Sequence, residues 1–304
     1  MGLAALRAPA YGALEWLWAT GFSIAGRGLR SRSRTTGWRP LGGGRVLVIA
    51  PHPDDETIGA GGVISLHQTA GDRVTVVCVS DGGASRALGL SRSEMVDRRA
   101  REFYQAARAL GIEKPVWLGL PEGRWDRPSA GRALRSMVEA ADVIYAPSCI
   151  DYHPEHQAVA QVVADLVAED SLVRLFEIGV PLTPWLVNCV ADISSAADLK
   201  AQALAQYATQ QRTLAALHRL ARYRSALYGY TAVEVFWEMP GKAYRRLMAE
   251  RRLTEHAPYR GIGGRPLADP LAFLVGLADR LRLRRRIMDH LPTEHPQPAA
   301  SKNL

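Results

Sequence analysis

From Arg45 onward, short unbroken apolar runs alternate with stretches whose apolar residues recur at helical spacing. Val46-Leu47-Val48-Ile49-Ala50 is one such run. It lacks the in–out alternation of a half-exposed strand, so both of its faces must be covered. A helix is predicted over about 56–70, stopped by Gly71, and a strand follows from Arg73 to Val79. The rhythm repeats with a helix over about 91–110 closed by Gly111, a strand around Val116-Trp117-Leu118, a helix over about 130–140, and the strand Val143–Ala146. A helix near 156–168, a strand from Leu172 to Ile178, a strand from Val187 to Ile193, and a helix capped by Ser194 or Ser195 and running to about 217 complete it. Such βαβα order predicts an α/β fold: a doubly wound, mostly parallel Rossmann-like sheet flanked by helices, with right-handed crossovers.

Both ends differ from this middle. Leu6, Ala10, Leu14, Leu17 and Ile24 share one helical face, with Trp16, Trp18 and Phe22 beside it. Glu15 interrupts the apolar stretch Ala8–Ile24, leaving it short of the ~20 residues that a spanning helix needs and spoiling a secretory signal. At the other end, Asp269-Pro270 is an N-cap followed by proline at the first helical position. Leu271, Leu274, Leu277, Leu281, Met288 and Leu291 then form a stripe opposite Arg280, Arg282, Arg284, Arg285 and Arg286. These extra N- and C-terminal helices are expected to pack on the body. Their second option is to lie on a membrane surface, with Arg27, Arg30, Arg32 and Arg34 as the first helix's headgroup-facing flank. The tail, Pro292–Leu304, reads as disordered. The expected layout is an amphipathic extension over 1–40, a catalytic domain over 41–240, and a basic helical extension over 241–304.

Charge follows the same division. The formal net charge is +8, yet residues 1–45 hold seven arginines against one glutamate and residues 240–290 hold twelve basic against five acidic side chains. Residues 46–239 carry 18 basic and 23 acidic side chains, so the body is mildly acidic and is not built to read nucleic acid. Cys78, Cys149 and Cys189 are far apart and form no C-x-x-C pair, which excludes a disulfide framework and a thiolate zinc knuckle. A reducing, cytoplasmic setting is expected, peripheral at a membrane if the ends bind one.

Chemistry concentrates in two places. Pro51-His52-Pro53-Asp54-Asp55-Glu56 directly follows the first long strand, where open α/β sheets bind ligands. His52 and Asp55 are close enough in a tight turn to share one divalent ion, and adjacent carboxylates are costly there without a cation. Asp151-Tyr152-His153-Pro154-Glu155-His156 follows the strand at 143–146 and supplies the third ligand of a catalytic zinc with one open position. Both clusters follow strands of one parallel sheet, so their loops face the same edge. The remaining histidines, His67 among them, read as ordinary core or surface residues.

Pro-His-Pro-Asp-Asp-Glu and His-Pro-Glu-His, about 100 residues apart, resemble the motifs of the LmbE-like, or PIG-L, family of zinc-dependent N-acetylglucosamine deacetylases. Ser80-Asp81-Gly82-Gly83, the Arg99-x-x-Glu102 helix, Leu118–Gly123 (with Glu122 where Asp is usual) and Asp192-Ile193-Ser194 through Gln210 extend the resemblance over roughly 44–240. It implies one zinc per chain on His52, Asp55 and His156, with Asp54 as general base. His153 would act on the leaving amine or the oxyanion. Asp81, Arg99 and Glu122 are candidates for substrate binding. Asp81 divides between a sugar hydroxyl and a turn cap, and Arg99 between a charge pair in the site and a structural pair with Glu102. The implied substrate is an acetamido sugar, either small or lipid-linked, and a homo-oligomer is compatible with the pattern.

Two other classes are carried forward. A metal-dependent phosphoesterase would use the same acidic cluster but usually wants two metals. A nucleotide-sugar-binding protein would use Gly59-Ala60-Gly61-Gly62, although these glycines come inside the helix and after three carboxylates.

Overall fold

The computed structural model describes residues 35–249, apart from 86, 152, 179–181, 183–185, 211–220 and 223. The expected terminal helices, over Leu6–Ile24 and 269–291, and the tail after them lie outside the described residues. The described strands are β1 (Thr36–Gly37), β2 (Arg45–Ala50), β3 (Arg73–Ser80), β4 (Val116–Leu120), β5 (Val143–Pro147), β6 (Leu172–Phe176), β7 (Cys189–Asp192) and β8 (Val233–Pro240). They form one sheet in the order β1-β7-β8-β6-β5-β2-β3-β4. All pairs are parallel except those of β8, which runs antiparallel to β6 and β7.

Among the described residues, the faces are covered by the helices α1 (Asp55–Thr69), α2 (Arg92–Ala109), α3 (Arg127–Ala140), α4 (Pro154–Leu166), α5 (Ala197–Ala205) and α6 (Gly241–Ala249). Residues of α1, α2 and α5 pack with Val46, Val48, Val76 and Cys78 on one side. Residues of α3, α4 and α6 pack with Leu47, Ile49, Val77 and Val79 on the other. Alternate residues of β2 and β3 thus enter two separate cores, which is why these strands read as continuous apolar runs. Crossovers through α1 and α2 lead from β2 to β3 and β4. The chain then returns to set β5 on the opposite flank of β2. The gap beyond β2 and β5 is the topological switch point of the sheet.

Three features depart from the sequence expectations. The first is β8, which no apolar run announced: Val233, Val235, Trp237 and Met239 enter one core and Phe236 the other, with Glu234 and Glu238 between them. The second is the helix expected to reach about 217, which ends at Ala205. Tyr207 and Thr209 turn back beneath α1 and α2, where Glu56 and Glu102 accept their hydroxyl groups, and these bonds take the chain off the helical path. Third, the packed body crosses the expected limits at 40 and 240, because β1 pairs with β7 and Tyr244 and Leu247 of α6 are buried.

The Gly59–Gly62 stretch is closed to any ligand. A Cβ at Gly59 would meet the Phe176 ring at 2.3 Å, and one at Gly62 would meet Ile193 at 2.7 Å. The amides of Gly62 and Val63 donate to the buried Glu234 carboxylate at 2.8 and 2.9 Å, and Lys200 Nζ completes that site at 2.6 Å. These glycines therefore serve close packing of α1 and do not cradle a phosphate.

Candidate active site

The loops after β2 and β5 meet at the switch point. His52 Nδ1, Asp55 Oδ2 and His156 Nε2 stand 3.1–3.2 Å from one another. The edges of a tetrahedral zinc site with bonds of ~2.0–2.1 Å are about 3.3 Å, so this triangle has the size of one face. What surrounds it decides the protonation. His156 Nδ1 lies 3.2 Å from Asp151 Oδ2, and His52 Nε2 lies 2.8 Å from Glu155 Oε2. Each outer nitrogen faces a carboxylate and is best protonated, which leaves both inner nitrogens as lone pairs. Asp55 Oδ2 adds a third lone pair, and it already accepts the His52 amide at 2.9 Å. With both imidazoles neutral, three acceptors converge with no donor among them, and a cation is a group that satisfies all three.

Electrostatics state the same demand. Burial opposes charge on His52, but Asp55 and Glu155 outweigh it and carry the imidazole up to about 9. His156 is likewise held well above its usual value against burial by Asp55 and Asp151. Burial would raise the Asp55 pKa, yet His156 and His52 pull it well below the ordinary carboxylate range. The pocket therefore favours positive charge at its centre.

His153 belongs to the same cluster. One ring nitrogen from each of His52, His153 and His156 can be chosen so that all lie within 4.8 Å, which makes the three histidines a candidate metal site. His153 is also the N-cap of α4, and its Nδ1 accepts the Glu155 amide at 3.3 Å. With that nitrogen accepting, the proton sits on Nε2. Burial, followed by the neighbouring His52 and His156, pushes its pKa down to about 4, so His153 is a neutral hydrogen-bond donor near pH 7.

Asp54 occupies a strained position, with φ 119° and ψ −27° at the start of α1. A left-handed aspartate persists only where its surroundings hold it, and such outliers gather at functional sites. Burial pushes its carboxyl up to about 7; Arg99 opposes the shift, and Asp55 and Glu56 add to it. Glu56 Oε2 accepts the Asp54 amide at 3.2 Å from within the core.

The three residues expected to meet substrate fare differently. Arg99 is 3% exposed and lies beneath the turn. Its guanidinium donates to the Pro53 carbonyl, reaches Thr209 Oγ1 at 3.3 Å, and stands 3.6 Å from Asp54 Oδ2. It thus faces the Asp54 turn from the protein side. Nor does it pair with Glu102, which binds Arg98 and Thr209. Asp81 is occupied as a loop staple: Oδ1 accepts the amides of Gly83 and Glu122 at 2.9 and 3.0 Å, and Arg92 lies 3.3 Å away. Glu122 holds the Ala84 amide with one oxygen and turns the other to within 3.9 Å of His52 Nε2. Sequence reasoning gave no role to Glu155, Asp151, Glu56 or Thr209. The first two lay inside the quoted motif, and the rule that ligating histidines need outer carboxylates would have marked them.

Residues 47–167 match the PIG-L family model, described as GlcNAc-PI de-N-acetylase. A Mycobacterium leprae 1D-myo-inositol 2-acetamido-2-deoxy-alpha-D-glucopyranoside deacetylase is 28% identical over 177 residues, covering 47% of this chain and 57% of that protein. The chain therefore spans little more than half the length of that relative. A probable N-acetyl-alpha-D-glucosaminyl L-malate deacetylase 2 of Bacillus subtilis is 28% identical over 182 residues, covering 54% of this chain and 82% of that protein. The same fold occurs in the N,N'-diacetylchitobiose deacetylase of Pyrococcus horikoshii, with a TM-score of 0.56 at 24% identity over 66% of this chain and 85% of that one. It also occurs in a 4-carboxy-2-hydroxymuconate hydratase of Pseudomonas putida, with a TM-score of 0.55 at 22% identity over 64% of this chain and 96% of that one. The family model spans both strand-end loops and the sheet order places them side by side, so the part of the chain that carries the site, residues 47–167, is similar to the PIG-L, or LmbE-like, family.

Proposed function

We propose that this protein is a zinc-dependent amidohydrolase that removes the acetyl group from an N-acetylglucosamine-type conjugate. The observation that carries this reading is the triangle of converging lone pairs on His52, Asp55 and His156, which would hold the ion. Zinc bound there acidifies water and polarises a carbonyl. Asp54, lifted towards neutrality, takes a proton from the attacking water. His153 presents its Nε2–H to the carbonyl oxygen as negative charge develops, and the proton taken up by Asp54 passes to the nitrogen that must be protonated before the C–N bond breaks. Water is consumed, and acetate and a free amine leave. Glu122 is the acidic side chain best placed to accept a sugar hydroxyl.

The relatives named for an inositol glycoside, a glucosaminyl malate and chitobiose support an acetamido sugar as the substrate class. The hydratase on the same fold is the reason to argue from the site and not from the fold. A metal-dependent phosphoesterase is the competing reading. No helix among the described residues is long and apolar enough to cross a membrane, and the three cysteines are free and buried. These facts are compatible with a cytoplasmic protein, and contact with a membrane or a lipid-linked sugar would then fall to the terminal segments.

The test is a screen for acetate release over N-acetylglucosaminides, with zinc content measured in the same samples and phosphate release from phosphomonoesters run in parallel. Zinc near one per chain with acetate release is expected, and His156→Ala should abolish both. Phosphate release without acetate release would overturn the reading.

A further inference from the structure

Glu155 stands out because its single carboxylate serves two different structures at once. Oε2 lies 2.8 Å from His52 Nε2 in an ion-pair contact, and neither buried atom has an aligned hydrogen-bond partner among the described residues. Oε1 accepts the amide of Gly123 at 2.7 Å. Gly123 sits at φ +75° in the tight turn after β4, where the Arg124 amide returns to the Pro121 carbonyl at 2.9 Å. The same turn carries Glu122, whose amide is fixed by Asp81 and whose side chain faces the histidine cluster. Glu155 belongs to the first turn of α4, where the helix dipole favours an ionised carboxylate.

We infer that Glu155 is a positioning residue that couples the 121–124 turn to the metal site, with His52 as the point of contact. The inference rests on the metal-dependent reading above and adds to it a path by which substrate gripped at the turn is felt at a metal ligand. The coupling needs a carboxylate specifically. An Nε2–H on His52 and the N–H of Gly123 are both donors, so the bridging group must accept at both ends. A glutamine of the same shape accepts at one end only. If its oxygen meets His52, its amide nitrogen opposes the Gly123 N–H. If its oxygen meets Gly123, its amide nitrogen donates to His52 Nε2, the imidazole proton moves to Nδ1, and the lone pair facing Asp55 and His156 is lost.

Glu155→Gln therefore separates this role from simple packing. Zinc affinity is measured by chelator competition on the full chain, and amide exchange at Gly123 is measured with and without zinc. In the wild type, Gly123 is protected in both states. In Glu155→Gln the zinc affinity falls about 10–100-fold, the usual scale for a partner of a ligating histidine. Added zinc then accelerates exchange at Gly123, because the ion draws the only oxygen to His52. A purely structural glutamate would give no zinc-dependent change at Gly123. Glu155→Ala loses both effects together: zinc binds weakly and Gly123 exchanges fast in either state. Zinc affinity within twofold of wild type in Glu155→Gln, with unchanged exchange, overturns the coupling alone. A wild-type protein that takes up no zinc overturns the coupling and the metal reading together.

Discussion

Helix α1 carries a histidine–aspartate contact at each end, and the two contacts are built on opposite plans. At its C-terminal end, His67 Nδ1 lies 2.6 Å from Asp72, and its Nε2 lies 2.9 Å from the Tyr145 hydroxyl. That hydroxyl oxygen accepts from Trp38 Nε1 and Arg174 Nη1, each at 2.6 Å, and Arg174 is paired with Glu238 at 2.7 Å. Asp72 also accepts the amides of Leu41, Gly43 and Gly44. One protonation pattern satisfies the whole chain. Arg174 and Trp38 donate to Tyr145, Tyr145 donates to His67, and His67 donates to Asp72. At the N-terminal end, the outer carboxylates orient His52 and His156 so that their remaining lone pairs, with that of Asp55, meet each other. The first network is closed, and a closed buried network rigidifies. The second is open: apart from the His52 amide on Asp55, no protein donor meets its converging lone pairs once both imidazoles are neutral, as suits a binding site for a cation. A buried His–Asp pair by itself says nothing about function; whether its network closes does.

The sharpest way to break this comparison is at Asp54. Asp54→Asn is expected to keep zinc and lower kcat by ~10²–10⁴, the scale of a lost general base. Thermal stability should hold or rise, because burial already disfavours the ionised Asp54 carboxylate. Loss of zinc from this variant, or near-normal turnover, would show that the strained turn serves another end. Arg99 comes next. It binds the Pro53 carbonyl and faces Asp54, so Arg99→Gln should let the turn relax. The expected result is a fall in kcat of about 10²-fold, as for a small misplacement of a reacting group, with KM little changed. A rise in KM alone would return Arg99 to the substrate-contacting role.

These two residues also mark how far the chain could be read without coordinates. Strands β2, β3, β5 and β6 were legible because most of their side chains enter apolar cores, so a local run of Val, Ile and Leu carries the information. Strand β8 was not, because Glu234 and Glu238 interrupt its apolar pattern. Those carboxylates are tolerated only through partners far away in the sequence, namely Lys200 with the α1 amides, and Arg174. The site divides in the same way. His52, Asp55, His153 and His156 stand in two short motifs, and their meeting follows from parallel strands with adjacent ends. The direction in which Arg99 points is set by Thr209, 110 residues later, and the task of Glu155 is set by Gly123 in another loop. Ligand type is a local property of sequence; what a charged side chain turns towards is not.

At the closed end the expected effects fall on stability and spare catalysis. Tyr145→Phe removes the oxygen that accepts from Arg174 and Trp38 and donates to His67. Leaving such buried groups short of a partner costs ~1–3 kcal/mol, more where one is charged. Urea unfolding should show that loss, while kcat per folded molecule stays at the wild-type value. A fall in kcat without a fall in stability would mean that the two ends of α1 are coupled.

The smallest effect concerns pH. Burial pushes the His67 pKa below its usual value, with Arg174 adding and Asp72 opposing. Burial would raise the Asp72 pKa, but His67 and the three loop amides hold it below the usual carboxylate value. Both groups bind protons more readily in the unfolded chain, so both make stability rise with pH. For His67 the contribution is complete above its unfolded value of about 6.5 and is lost as pH falls towards the folded value. For Asp72 the loss begins only below about 4. His67→Gln removes the first titration and leaves the second. It should cost ~1–2 kcal/mol at pH near 8, where one buried hydrogen bond is disturbed. The gap between wild type and variant should then narrow as pH is lowered to about 5, because the wild type alone pays to keep a buried imidazole neutral. Urea midpoints for both proteins across that range measure the gap directly. A gap that stays constant would mean that His67 titrates alike in the folded and unfolded chains, and the closed network would then need a different protonation pattern from the one its distances favour.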